Sequence, residues 1–226
     1  LKFPAIALQT YNRLKNNPNF LAITDFVLRT IRNEKNPIDR AQFVHQIVDD
    51  CNELVLKHPL IIEHSGCQKG CANCCHTEVS VTPDEAKLLA QRVKEGIDID
   101  WEKLRTQKNT VEENKSFYSI PFQARACVFL DEENQCRVYE DRPSVCRTNV
   151  VIGTSEQCST EDGTVKAMRL VNTERSDMAI MASFMLAPNE NSILPKLLWD
   201  TLEIDLKKST KEAKLKKPTI FKDREL

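Results

Sequence analysis

Four cysteines lie within nine residues, at Cys67, Cys71, Cys74 and Cys75, in the run Gly-Cys-Gln-Lys-Gly-Cys-Ala-Asn-Cys-Cys-His. Four more follow at Cys127, Cys136, Cys146 and Cys158. Thiolates are the soft ligands of zinc and of iron–sulfur clusters. Backbone that aims eight of them inward is bent around what they hold, and this constrains the fold more than any other feature of the chain. The ninth cysteine, Cys51, falls on the apolar stripe of a helical segment and reads as a buried helix thiol. An odd count, the adjacent pair Cys74-Cys75 and a length of 226 residues all argue against a disulfide framework. Metal thiolates imply a reducing compartment, so the expected location is the cytoplasm.

Glycine and arginine usage agree with a metal. The chain has five glycines, and Gly66, Gly70, Gly153 and Gly163 flank cysteines of the cluster. Glycine serves where backbone turns tightly, and such turns aim N–H groups at sulfur. Four thiolates around a divalent ion leave a negative charge to stabilise. Arg125, Arg137, Arg142 and Arg147 lie in the second cysteine segment. Of these, Arg142 and Arg147 read as donors to the thiolates or to carboxylates beside them.

The remainder of the chain reads as mainly helical. Ile6, Leu8, Tyr11 and Leu14 suggest a short helix. Phe20, Ile23, Phe26, Val27 and Ile31 suggest a second, with Asn19 as its cap. Pro37 opens a third, with Ala41, Val44, Ile47, Val48, Cys51, Leu54 and Val55 on one stripe. Thr82-Pro83-Asp84-Glu85 starts another, stopped by Gly96. The charged stretch from Asp98 to Lys115 predicts an exposed helix. The runs 126–130 and 136–139 around Asp131-Glu132-Glu133-Asn134 predict a β-hairpin. Two apolar helices follow, one through Met178, Ile180, Met181 and Phe184 and one from Leu194 to Leu206. The expected architecture is a mainly α fold over residues 1–206. Its helices pack around an irregular cysteine-rich metal-binding insert at about 64–160 that carries a short hairpin.

Residues 207–226 carry eight Lys/Arg against three acids. This basic tail reads as solvated, and the acidic balance of the remainder argues against nucleic acid as a partner. A protein partner stays open. No apolar run approaches the ~18 residues of a bilayer span.

At the cysteines the chain resembles the YkgJ-like cysteine-cluster family, a zinc- or iron-chelating domain named for its Cys-x3-Cys-x2-Cys-Cys motif. The resemblance rests on Cys67-x3-Cys71-x2-Cys74-Cys75, Cys127-x-Phe129-Leu130 and Cys136-x2-Tyr139-x2-Arg142-Pro143-x2-Cys146-Arg147, and spans about 64–160. It implies a bound metal with Cys67, Cys71, Cys74, Cys75, Cys127, Cys136, Cys146 and Cys158 as candidate ligands. A related motif occurs in flagellin lysine methylases, where an iron–sulfur cluster is implicated. Nothing outside the cysteines carries that activity over.

Zn2+ would take four thiolates per ion, and a [4Fe–4S] cluster would also take four. Cys74 and Cys75 diverge as neighbours, which suits ligands of different metal atoms and leans toward a multinuclear centre. His76 and His64 flank the run but are not needed for coordination. Two function classes follow: a metal-binding protein without catalysis, and an iron–sulfur-dependent redox or group-transfer enzyme. A nucleophilic Cys146, activated by arginine, is a third and weaker reading. No phosphate loop, dinucleotide fingerprint or Ser/His/Asp arrangement names a substrate.

Overall fold

The computed structural model describes residues 3–68, 70–162 and 171–203. The basic tail and Gly163 lie outside these residues. Four helices begin on a polar residue followed by proline. Asn17 caps α2 (Pro18–Asn33), Asn36 caps α3 (Pro37–Leu56), His58 caps α4 (Pro59–His64) and Thr82 caps α5 (Pro83–Lys94). Proline at the first helical position lacks only an N–H that the helix would leave unpaired. Each capping side chain accepts a hydrogen bond from a backbone N–H of the first turn. The cap of α2 is therefore Asn17, two residues before the expected Asn19.

Helix α1 (Ala5–Leu14), α2 and α3 pack on α8 (Glu174–Leu186). Their shared core holds Ala7, Val27, Ile31, Val44, Val48, Ile180, Met181 and Phe184. Helix α8 is buried around most of its circumference, from Ser176 to Phe184. The expected stripes shift here. Ile6, Phe26 and Leu54 are exposed, while Thr10, Thr24, His45 and Asn52 turn inward. Small or polar groups face α8 because three helices must approach one. Thr10 Oγ1 donates to Asp177 at 2.8 Å, Thr24 Oγ1 to the Met178 carbonyl at 3.1 Å, and Ser176 Oγ to Asn52 Oδ1 at 2.5 Å.

A second core joins α5, α6 (Trp101–Glu112), the Cys127–Val138 stretch and the helical residues 194–203 (α9). Its centre is Leu89, Leu104, Phe129, Val138 and Leu198. Strands β1 (Ser80–Val81) and β2 (Ser192–Ile193) pair antiparallel and tie the start of α5 to the start of α9. The hairpin expected over 126–139 is reduced to one antiparallel bridge, Leu130 to Cys136, closed by a turn with Asn134 at φ +59°. The apolar residues of that stretch fill the second core instead of a ladder. Between Glu113 and Asn172 the described backbone holds only one four-residue α-helix, α7 (Ser144–Arg147), and short 3₁₀ turns. No helix among the described residues is long and apolar enough to cross a membrane.

Candidate metal centre

Of the candidate thiols, Cys127 and Cys136 pack against the second core. The cysteine run leaves α4 and runs antiparallel to residues 149–153. Gly153 N donates to the His64 carbonyl at 3.0 Å, Gly66 N to the Val151 carbonyl at 3.1 Å, and Ser65 bridges Ile152. A Cβ on Gly66 would lie 2.7 Å from the Gly153 carbonyl oxygen, so this close approach of two backbones requires glycine. Gly70 and Gly153 adopt φ of +83° and +114°. The run then forms a 3₁₀ turn, Asn73–His76, docked by Asn73 Nδ2 on the Ser155 carbonyl at 2.8 Å. Its last cysteine receives the second segment: Cys127 N donates to the Cys75 carbonyl at 2.8 Å.

These contacts bring the candidate thiols into one electrostatic neighbourhood centred on Cys74. Its charge neighbours include Cys67, Cys75, Cys127, Cys136, Cys146 and Cys158. Cys71 is a neighbour of Cys67 and Cys158. The Cys75 thiol donates to Cys74, which with the Asn149 side chain and the Arg142 charge holds Cys74 low, at about 7, despite its burial. The same bond, with burial, pushes Cys75 far up. Burial pushes Cys127 up to about 12, Cys158 to about 11, and Cys146 well above the usual thiol value. Buried thiols crowded together resist ionisation, because each new thiolate would face the others in a medium of low dielectric. A cation removes that conflict.

Several backbone N–H groups already point at sulfur: Val151 at Cys67, Phe129 at Cys127 and Val138 at Cys136. The sequence suggested turns that aim N–H groups at sulfur, and the N–H groups that do so belong to valine and phenylalanine. Arg142 lies over the Tyr139 ring at 3.9 Å and acts on the charge of both Cys74 and Cys136. Its Nε is buried without a hydrogen-bond partner. An orphaned cationic donor beside an all-sulfur donor set fits an anionic thiolate–metal centre. Among the described residues, no group of three or more Cys, His, Asp or Glu side chains is already drawn together as a metal cage.

Arg147 takes the second of its two expected targets, a carboxylate. It donates to Asp49, to the carbonyls of Glu140 and Arg142, and to His45 Nδ1 at 3.3 Å. Arginine can only donate, so His45 accepts at Nδ1 and donates from Nε2 to Glu85 at 3.3 Å. Glu85 also accepts from Ser144 N at 2.7 Å and Thr82 N at 2.9 Å. Burial pushes Glu85 up, but these donors more than offset it and hold the carboxyl below its ordinary range. This buried network locks α3, α5 and α7 together directly beneath Cys146. Sequence reasoning read Glu85 only as a first-turn acid; the spacing Thr82-x-x-Glu85 was the visible signal of its capping box.

The histidines beside the run are otherwise engaged. His76 stacks on Phe122, with ring centroids 4.1 Å apart and planes at 7°, and its Nδ1 meets the Ala72 carbonyl at 3.1 Å. Burial lowers its affinity for a proton. His64 is exposed beside Glu63. His58 caps α4 rather than lying within α3. Arg125, only 2% exposed, donates to the Thr160 side chain and carbonyl at 3.0 and 2.8 Å and so ties down the segment after Cys158.

Residues 66–169 match the family model CxxCxxCC, described as "Putative zinc- or iron-chelating domain". The match is to the same cysteine-cluster family that the motif resembles. The matched span opens at Gly66, where the run meets residues 151–153, and includes all eight candidate thiols. No curated protein and no solved structure matches the chain. The match supports metal binding by the segment, of the zinc- or iron-chelating kind.

Proposed function

We propose that this protein is a metal-binding protein whose segment 66–169 holds zinc or an iron–sulfur cluster through cysteine thiolates. The observation that carries the reading is the backbone pairing of two distant cysteine segments inside the matched span, with Cys127 N on the Cys75 carbonyl and Gly66 N on the Val151 carbonyl. The candidate ligands are Cys67, Cys71, Cys74, Cys75, Cys127, Cys136, Cys146 and Cys158, with Arg142 balancing their charge. Arg147 acts one layer further out, by fixing α7 and with it Cys146. A thiolate-bound zinc would close the fold, and an iron–sulfur cluster would add electron transfer. The chain's own contribution is to supply the thiolates, neutralise part of their charge and seat Cys127 and Cys136 against the second core.

The test is elemental analysis and a visible spectrum on full-length protein purified without oxygen. Stoichiometric zinc in a colourless sample, or iron and sulfide with broad visible absorption, is the expected result. A chain that retains neither metal, and takes up neither after reduction, would sink the reading.

A further inference from the structure

Resting on that reading, we infer that His45 is a positioning residue for Cys146: it joins the partners of both ends of α7 and so fixes where that thiol meets a metal. Helix α7 has only the four residues Ser144–Arg147. A single turn does not hold itself in water, because fixing it costs more than its one hydrogen bond returns. Cys146 therefore stands where groups outside α7 put it.

Those groups come mainly from α3 and α5. At the N-terminal end, Ser144 N donates to Glu85 Oε1 at 2.7 Å. At the C-terminal end, Asn52 Nδ2 donates to the Arg147 carbonyl at 3.3 Å. The Arg147 guanidinium donates to Asp49 and to the Glu140 and Arg142 carbonyls. His45 Nε2 donates to the same Glu85 oxygen at 3.3 Å, and its Nδ1 accepts from Arg147 Nη2 at 3.3 Å. Only the neutral imidazole with its proton on Nε2 satisfies both partners.

His45, Asp49 and Asn52 stand at i, i+4 and i+7 on α3, so one face of that helix meets α7. Asp49 and Asn52 reach α7 at its C-terminal residue. His45 reaches the partner of its N-terminal residue as well. His45, Glu85, Ser144 and Arg147 are all buried. A polar group stripped of its partner there bears the full cost of desolvation. An apolar side chain at position 45 would take an acceptor from Arg147 and a donor from Glu85 together, and both ends of α7 would loosen around Cys146.

The inference is tested on the full chain, purified without oxygen, by competition for its zinc or iron with a chelator. His45→Leu removes both hydrogen bonds and should weaken metal retention about 10- to 100-fold, as loss of a group that orients a metal ligand does. His45→Gln keeps an acceptor and a donor and should restore most of the retention. Val27→Ala lowers the melting temperature from within the other helical core and should leave retention at the wild-type level. Wild-type retention in His45→Leu, no recovery in His45→Gln, or an equal loss in Val27→Ala would each overturn the inference. Where His45→Leu does not fold, His45→Asn, too short to span Glu85 and Arg147, takes its place with the same outcomes. A wild-type chain that holds no metal would remove the metal-binding reading, and iodoacetamide labelling of the reduced chain, mapped by mass spectrometry, then decides the positioning of Cys146. Faster labelling of Cys146 in His45→Leu than in wild type, with Cys51 unchanged, would sustain it, and equal labelling would overturn it.

Discussion

Two buried carboxylates set the pH response of the helical part in opposite directions. Asp177, 3% exposed, is pushed up to about 6 by burial, with Glu174 adding to the effect and the Thr10 hydroxyl opposing it. Its folded value lies above its unfolded one, so its contribution is fully present in acid and is lost as pH rises through about 6. At pH 8 the ionised form costs on the order of 2–3 kcal/mol. Asp177→Asn keeps an oxygen for Thr10 and removes the charge. It should raise the denaturation midpoint at pH 8 and leave it nearly unchanged at pH 4; equal effects at both pH values would refute the account. Glu85 is held below its ordinary range, so its share of stability is present at neutral pH and is lost as pH falls through its folded value. The Asp177 role was not legible in the sequence. Asp177 looks like any acid in a first helical turn, and only the packing of α1 on α8 encloses it.

At the scale of elements, the cysteine run depends on two backbones lying closer than side chains allow. A methyl group on Gly66 would meet the Gly153 carbonyl oxygen at 2.7 Å and Ser155 N at 2.9 Å. Both are backbone atoms and cannot swing aside. Gly66→Ala should therefore cost about 1–3 kcal/mol and loosen the pairing of residues 64–66 with 151–153. A lowered melting temperature with faster metal loss to a chelator is the expected result, and an unchanged melting temperature would contradict it. Gly66 was visible as a glycine in an unusual place, but its partner was not. The helix starts at Pro37 and Pro83 were far more legible, because a capping residue and a proline act within one turn; Asn17-Pro18 and His58-Pro59 carry the same signal. The stripes of α1 and α2 were less so. Ile6 and Phe26 have the right spacing, yet the faces turned to α8 are set by close approach, which favours Ala7, Thr10 and Thr24.

Over the whole molecule, the two cores differ in how much regular structure supports them. α1, α2, α3 and α8 bury their own apolar faces on one another. The stretch between Glu113 and Asn172 has little regular structure and reaches the second core through Val128, Phe129 and Val138. Thiolate–metal bonds can supply about 10 kcal/mol toward the folding of such a segment. Chelation under reducing conditions should therefore open residues 114–162 to limited proteolysis while most of the helical circular dichroism remains. Full retention of protease resistance after the metal is gone would show that packing alone holds the segment.

By itself the sequence determined that the chain is mainly helical, where most of its helices begin, and that eight thiols are available to a metal. Those are consequences of local periodicity, capping and residue chemistry. The tertiary structure alone decided that the backbone before Cys74 lies along residues 149–153 while the Cys75 carbonyl receives the Cys127 N–H. It also decided that Arg147 serves the junction of α3 and α7 while Arg142 remains beside sulfur, and that the expected hairpin gives its apolar residues to a core. These depend on pairings across up to about a hundred residues, such as Asn52 with Arg147 and Ser65 with Ile152. Spacing along the chain carries no record of which distant backbone will lie alongside.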